Sequence, residues 1–380
     1  MEELNIWDLD RVNIKLNPQF INRINMAIDN KYISKVSFIR GLCQENKLNF
    51  DFIKNIIKLS FKLFSPLGCW LAICKKLNIP KEILQSNIQS YKTSGGINFI
   101  ELPILPIKIT PVFDMLLAHN IGYGTVINPK KGRLPYFGYM QFDKFYRISY
   151  IRKIEEIFGK IKFKENYFEN STRPYCPPTL SSLFFKYYNL KIIDFNSEKA
   201  RVPEIIYKKG KESMLAVLIA LVIDEGHIDS TQITINLKNP LLIEDLHKIC
   251  DNLSYSSKVT TSKKEYEKGY SRIHILRKGM KKFWRDYIKI NKKYPIIDLG
   301  WKGEKIENSF NIYKRAIYKT KGNKNIIFEI LKNEQLSVNQ LSDRINMTRQ
   351  GVRFHIQNLL KEGKIRLINS NELNWIYGIK

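Results

Sequence analysis

SMLAVLIALVIDEG, from Ser213 to Gly226, is apolar on every face, ends in two adjacent acids and stops at a glycine. A helix of that character is buried all round, and a glycine after its last turn marks where the chain leaves it. The sequence downstream defines the unit it opens. TQITINLK (Thr231 to Lys238) sets polar Gln232, Thr234, Asn236 and Lys238 against apolar Ile233, Ile235 and Leu237, which is the period of a half-buried strand. NPLLIEDLHKICDNL follows as a helix, with Asn239 at the cap and Pro240 at its first position. SSKVTTSKK and YSRIHILRK read as two strands around a turn, and GMKKFWRDYI closes with a helix. The order is αββαββα.

The same order occurs once more upstream, loosely. PVFDMLLAHNIGYG (Pro111 to Gly124) is a helix stopped by glycine, and extended segments flank NPKKG and run through YFGYMQF. FYRISYIRKIEEIFG is a helix, and KIKFKENYF is a strand alternating Lys160, Lys162 and Lys164 with Ile161 and Phe163. A short strand near Tyr175 precedes the helix TLSSLFFKYYN.

At LIALVIDEG (Leu218 to Gly226) the sequence resembles the signature helix of the LAGLIDADG homing endonuclease family, and the doubled αββαββα order extends that resemblance over about half the chain. The resemblance implies an α+β fold. Two pseudo-symmetric units form a saddle over DNA, and the core is monomeric because the pseudo-twofold axis lies within one chain. It implies that the signature helices pack together at that axis. Such contact needs small residues one turn apart, and Ala118/Gly122 and Ala216/Ala220 supply them. Each helix of the family delivers one acid, just before the terminal glycine, to magnesium and the scissile phosphates. Glu225 holds that position in the second copy, with Asp224 as the backup one register away. In the first copy Tyr123 stands where the acid belongs, and Asp114 lies more than two turns earlier, about 13 Å along the helix. Two-strand cutting needs both carboxylates.

The resemblance also implies sheet faces set in the major groove. Gln232, Thr234, Asn236, Lys238, Arg272 and His274 are the candidate base readers, and Lys160, Lys162 and Lys164 the candidate phosphate contacts. A sheet face exposed only to solvent would show the same alternation.

Asn323 to Lys380 reads as three helices and a hairpin. NIIFEILKN is the first helix, SVNQLSDRI the second with Ser337 as cap, and TRQGVRFHIQNLLKEG the third, capped by Thr348 and ending at Gly363. KIRLINS and ELNWIYGI supply the hairpin. Val352, Ile356, Leu359 and Leu360 should face inward, and Arg349, Gln350, Arg353 and Gln357 outward, with Lys364 and Arg366 near the wing. The segment resembles the winged helix-turn-helix of bacterial and archaeal transcription factors, whose third helix enters the major groove.

Residues 1–108 read as a helical region ending in a linker or extended arm, Thr93 to Pro111. Within it Pro66 to Lys92 suggests a helix–turn–helix, with Lys81, Gln85, Asn87 and Gln89 among its polar positions. The expected division is 1–108, a double core over 109–300 (units about 109–192 and 211–295), and the winged helix over 320–380.

The charge fits a polyanionic partner. Lys and Arg number 63 against 36 Asp and Glu, a formal net charge of +27. Phosphate backbones bind such chains through counterion release. An AT-rich coding sequence would also raise Lys, Ile, Asn and Tyr together. The apolar run from Met214 to Ile223 is about half of what a membrane span needs, and the MEELNIWDLD opening is no secretory signal. Five cysteines form no CxxC pair and five histidines show no ligand spacing. The expectation is a cytoplasmic, nucleoid-associated protein that binds double-stranded DNA as a regulator without two-strand cleavage. The alternatives are a magnesium-dependent endonuclease or nickase acting through Glu225, and an RNA-binding, intron-processing factor.

Overall fold

The computed structural model describes residues 2–59, 63–128, 133–163, 174–195, 198–261, 270–317, 322–371 and 374–379. Helices and strands mix throughout. The first third contains β1 (Glu3–Leu4), β2 (Val12–Leu16), α1 (Pro18–Lys31), α2 (Lys35–Asn46), α3 (Phe50–Leu59) and β3 (Ser65–Pro66). It continues with α4 (Leu67–Leu77), α5 (Lys81–Ser86), β4 (Ile88–Thr93), β5 (Phe99–Glu101) and β6 (Ile107–Lys108). The middle begins with α6 (Pro111–Gly122), β7 (Gly124–Ile127), β8 (Tyr136–Tyr139), α7 (Lys144–Phe158), β9 (Lys160–Lys162) and α8 (Pro178–Tyr187). After α9 (Glu204–Lys209) come α10 (Lys211–Glu225), β10 (Gly226–Ile228), β11 (Gln232–Leu237), α11 (Pro240–Asn252), β12 (Ser257–Thr260), β13 (Ser271–Leu276) and α12 (Arg277–Lys293). Then follow α13 (Trp301–Ile317), α14 (Asn323–Asn333), β14 (Leu336–Ser337), α15 (Val338–Ile345), α16 (Arg349–Lys361), β15 (Ile365–Asn371) and β16 (Asn374–Ile379).

From α10 to α12 the order is αββαββα, and the four strands form one antiparallel sheet in the order β10-β11-β13-β12. Ile233, Ile235 and Leu237 of β11 and Ile273 and Ile275 of β13 face the core, as their alternation requires. The Asn239 side chain accepts from Leu242 N (3.0 Å) to cap α11, and Pro240 opens it. Its amide also donates to Ala200 O (2.8 Å). Arg201 grips Asp245 with two 2.6 Å hydrogen bonds, which clamps the segment before α9 onto α11.

The upstream copy departs from this pattern. β7 and β8 pair with each other, and Tyr175 bridges to Gly138 of β8. β9 instead joins β5, at the edge of a five-stranded sheet ordered β3-β2-β4-β5-β9. The expectation of a helical N-terminal region is therefore corrected. Its helices surround strands whose partners lie far off in sequence, as with Val12↔Thr93 and Ile100↔Ile161, so no local pattern marks them. The segment from Thr93 to Pro111 is not a free arm either: β5 is paired on both edges and β6 pairs with β1. The suggested helix–turn–helix is present as α4 and α5, but its second helix is shorter than expected. α5 has six residues, Ile88 begins a strand, and Gln85 is buried, accepting from Ile6 N (2.8 Å) and donating to Asn5 Oδ1 (3.1 Å).

One apolar core runs from Ile6 to Ile306, and the residues from Ile327 to Tyr377 have a core of their own. Among the described residues no helix is long and apolar enough to cross a membrane.

Candidate nucleic-acid interface and helix-end site

α6 and α10 pack along each other, and both are buried nearly end to end. Ala118, Ala216 and Ala220 are buried with them. Gly122 marks the closest approach: a Cβ there would lie 2.5 Å from Leu221 Cδ2. The glycines that follow the helices are alike in a second respect. A Cβ on Gly124 would stand 2.4 Å from Asn120 O, and one on Gly226 the same distance from Val222 O. Gly226 has φ −71 and ψ 126, so its absent side chain serves close packing rather than a left-handed turn.

The two acids at the end of α10 have different environments. Asp224 has no side-chain exposure. Its Oδ1 accepts from the Tyr139 hydroxyl (2.6 Å) and its Oδ2 from His119 Nδ1 (2.9 Å). Burial lowers the His119 pKa against the pull of Asp224, which leaves a neutral imidazole that donates from Nδ1. Tyr139 stacks on Tyr150 (centroids 4.5 Å), whose hydroxyl donates to Asn120 Oδ1 (2.9 Å). Two buried lysines complete the surroundings. Lys302 Nζ donates to Val222 O (2.9 Å) and Ile223 O (2.6 Å), placing a cation at the negative end of the helix dipole. Lys153 Nζ donates to Ser149 Oγ (2.6 Å). Burial brings both lysines down to about 8, with Asp224 opposing the shift.

Glu225 is only half-buried. Burial first, then Asp224, pushes its carboxyl up to about 7, and Lys302 pulls the other way. Tyr123, at the matching end of α6, has its hydroxyl pKa raised by burial and by the charges of Glu225 and Asp224. Asp114 accepts from Tyr188 (2.5 Å) and from Lys209, buried at the other end of α6. Among the described residues, no group of three or more His, Cys, Asp or Glu side chains is placed to hold a metal ion. With both oxygens of Asp224 taken by protein donors and a phenol at the matching end of α6, the donors at the helix ends do not make the paired-carboxylate site that magnesium would need for two-strand cutting.

The sequence did not point to His119, Tyr139, Lys153 or Lys302. Aligning the two copies offers one usable signal: Asp224 falls at the register of Gly122, so it meets the partner helix.

The second sheet brings most of the proposed readers together. Asn236 is directly across from Arg272, Thr234 from His274, and Gln232 from Leu276, and cross-strand partners share a face. The same rows add residues that went unremarked in the sequence: His227 across from Thr234, Lys258 from His274, and Thr260 from Arg272. His274 bridges Thr234 Oγ1 (3.0 Å) and Thr260 Oγ1 (2.7 Å), so its ring nitrogens already have partners and it braces the face. Gln232 Nε2 donates to Thr234 Oγ1 (3.3 Å), whereas Asn236 Oδ1 is buried and has no hydrogen-bond partner among the described residues. Lys238 lies one residue beyond β11 and pairs with Glu198 (3.2 Å). Lys160 and Lys162 are exposed, but on the five-stranded sheet, with Lys162 3.4 Å from Glu101. Lys164 lies outside the described residues.

The C-terminal helices are capped as their sequence requires. Ser337 forms a reciprocal box with Gln340, and Thr348 Oγ1 accepts from Gly351 N (3.1 Å). Val352, Ile356 and Leu359 of α16 are buried, while Arg349, Gln350, Arg353 and Gln357 are exposed. Leu360, expected inside, is 36% exposed, because it falls one position past the buried stripe. Gly363 leaves the helix at φ +66, and β14 pairs with β16 to give the wing three strands. Lys364 and Arg366 are exposed at its base.

Three helices, a three-stranded wing and a polar, basic third helix define a winged helix-turn-helix that binds DNA. Residues 323–366 match the family model described as winged helix-turn-helix DNA-binding. Among solved structures, mesophilic variants from the homing endonuclease I-DmoI are similar over 46% of this chain and 88% of that one, at 15% identity and a TM-score of 0.34. No curated protein matches the sequence.

Proposed function

We propose that this chain is a sequence-specific double-stranded DNA-binding protein of regulatory role, built on a LAGLIDADG-type scaffold, that does not cut both strands. The α6–α10 pair is the pseudo-twofold axis of a monomeric core. The polar face of β10–β13 reads one major groove through Asn236, Arg272 and Gln232, and α16 reads another through Arg349, Gln350, Arg353 and Gln357.

The observation that carries the loss of cleavage is the fate of the acids. Asp224 is sealed between the helices by Tyr139 and His119, and the matching end of α6 has Tyr123 in place of a second carboxylate. The net charge of +27 and the winged helix support the choice of partner.

The test is selection from randomised duplex DNA with magnesium, scoring bound fragments and cut ends in one pool. Wild type and Glu225→Gln should select one motif and break neither strand. Cutting by wild type that Glu225→Gln abolishes would establish the nuclease instead. Failure to select any duplex, with retention of structured RNA, would favour the RNA factor.

A further inference from the structure

Around the ends of α6 and α10 the surface is aromatic. Phe142 is 71% exposed, Phe145 46% and Trp301 41%, and apolar rings on a surface mark a place where something else docks. The rings are held there. The Arg147 guanidinium donates to Gln141 O (2.7 Å) and Phe142 O (2.6 Å), and Asp143 accepts from Phe145 N (2.8 Å) to start α7. The loop after β8 is thereby fixed with Phe142 outward. Phe145 lies across Gly300, where a Cβ would come 2.6 Å from its ring and where φ is +54. Trp301 packs on Tyr146 (centroids 6.3 Å), whose hydroxyl donates to Leu299 O (3.2 Å).

Two contacts locate this patch. Met140 N donates to Tyr123 O (3.3 Å), tying the Phe142 loop to the end of α6. Lys302, next to Trp301, holds the last carbonyls of α10. Lys144 and Lys305 are exposed beside the rings, with Lys305 Nζ 4.5 Å from the Trp301 centroid.

We infer that Phe142, backed by Phe145 and Trp301, wedges into a base step of bound duplex from the minor-groove side, the side from which apolar wedges enter. The inference rests on the duplex-binding reading given above. An apolar side chain entering a step unstacks it and bends the helix. The lysines around it meet the phosphates on either side.

The full-length protein and its selected duplex, with 2-aminopurine placed singly at each central position, provide the test. Wild type and Phe142→Leu should raise fluorescence at one step. Phe142→Ser should lose at least about half of that rise, with affinity reduced by less than about tenfold. A bound duplex in which every position stays quenched, or a full rise with Phe142→Ser, overturns the wedge and leaves the duplex reading standing. Arg272→Ala should instead weaken binding and keep the rise at saturation. A chain that binds no duplex overturns both readings.

Discussion

Asp224→Ala should strongly destabilise the core, whereas Glu225→Ala, one residue on, should not destabilise it. The Asp224 carboxylate has no exposure and accepts from Tyr139 at 2.6 Å and from His119 at 2.9 Å. Hydrogen bonds to a charged group contribute about 1.5–3 kcal/mol each, so truncation should cost about 3–6 kcal/mol. The loss seen on breaking other buried pairs, about 3–5 kcal/mol, falls in the same range. The variant strands a tyrosine hydroxyl and an imidazole N–H that water cannot reach, and it removes the anion facing Lys153 and Lys302. Glu225 is half-buried and its ionisation is disfavoured in the folded chain, so its removal should not lower stability at neutral pH. Thermal melts of the full chain, followed by far-UV circular dichroism, separate the two. At about 2–4 °C per kcal/mol for a unit of this size, Asp224→Ala should melt roughly 6–24 °C below wild type. Equal melting of both variants, or an Asp224→Ala protein within about 1 kcal/mol of wild type, would refute a structural role for this carboxylate.

Other outcomes follow from the same geometry. The Glu225 carboxyl titrates at about 7 in the folded chain against an ordinary 4.5, so the folded state holds its proton longer and the fold weakens as pH rises through that window. Glu225→Gln should gain stability over wild type between those pH values and hold the gain above them, read from paired melts. Gly122→Ala places a Cβ 2.5 Å from Leu221 Cδ2 and should cost about 1–3 kcal/mol by overpacking. Leu221→Ala in the same chain should recover part of that loss, a non-additivity measurable by denaturant titration. Arg353→Ala should cost about 1–3 kcal/mol of discrimination between the selected duplex and a scrambled one in competition assays, whereas Lys364→Ala should weaken both alike and flatten the salt dependence by about one charge.

What the sequence revealed followed the range of the forces involved. The unit from α10 to α12 and the winged helix were legible because alternation, caps and glycine stops act within a few residues, as at Asn239, Ser337 and Thr348. β2, β4 and β5 were not, because each takes its meaning from a strand that other segments supply. The site was half legible for a related reason. α10 is buried on every side, so no amphipathic stripe indicates whether Asp224 or Glu225 turns inward. That choice is made by His119 and Tyr139, which read locally as a scattered histidine and a strand tyrosine. On the sheet face the polar residues of β11 were visible from alternation, whereas Lys258 and Thr260 needed the register with β13.

β9 carries one more consequence. The second copy owns all four of its strands and could in principle be moved, duplicated or lost as a unit. The first copy has lent Lys160–Lys162 to a sheet begun more than a hundred residues earlier, so it no longer has that freedom. A fragment starting at Pro111 would leave β9 without β5, an unmated edge prone to pairing with other chains. That stitch makes the N-terminal third and the middle of the chain one structural inheritance: neither can be removed without opening the sheet they share.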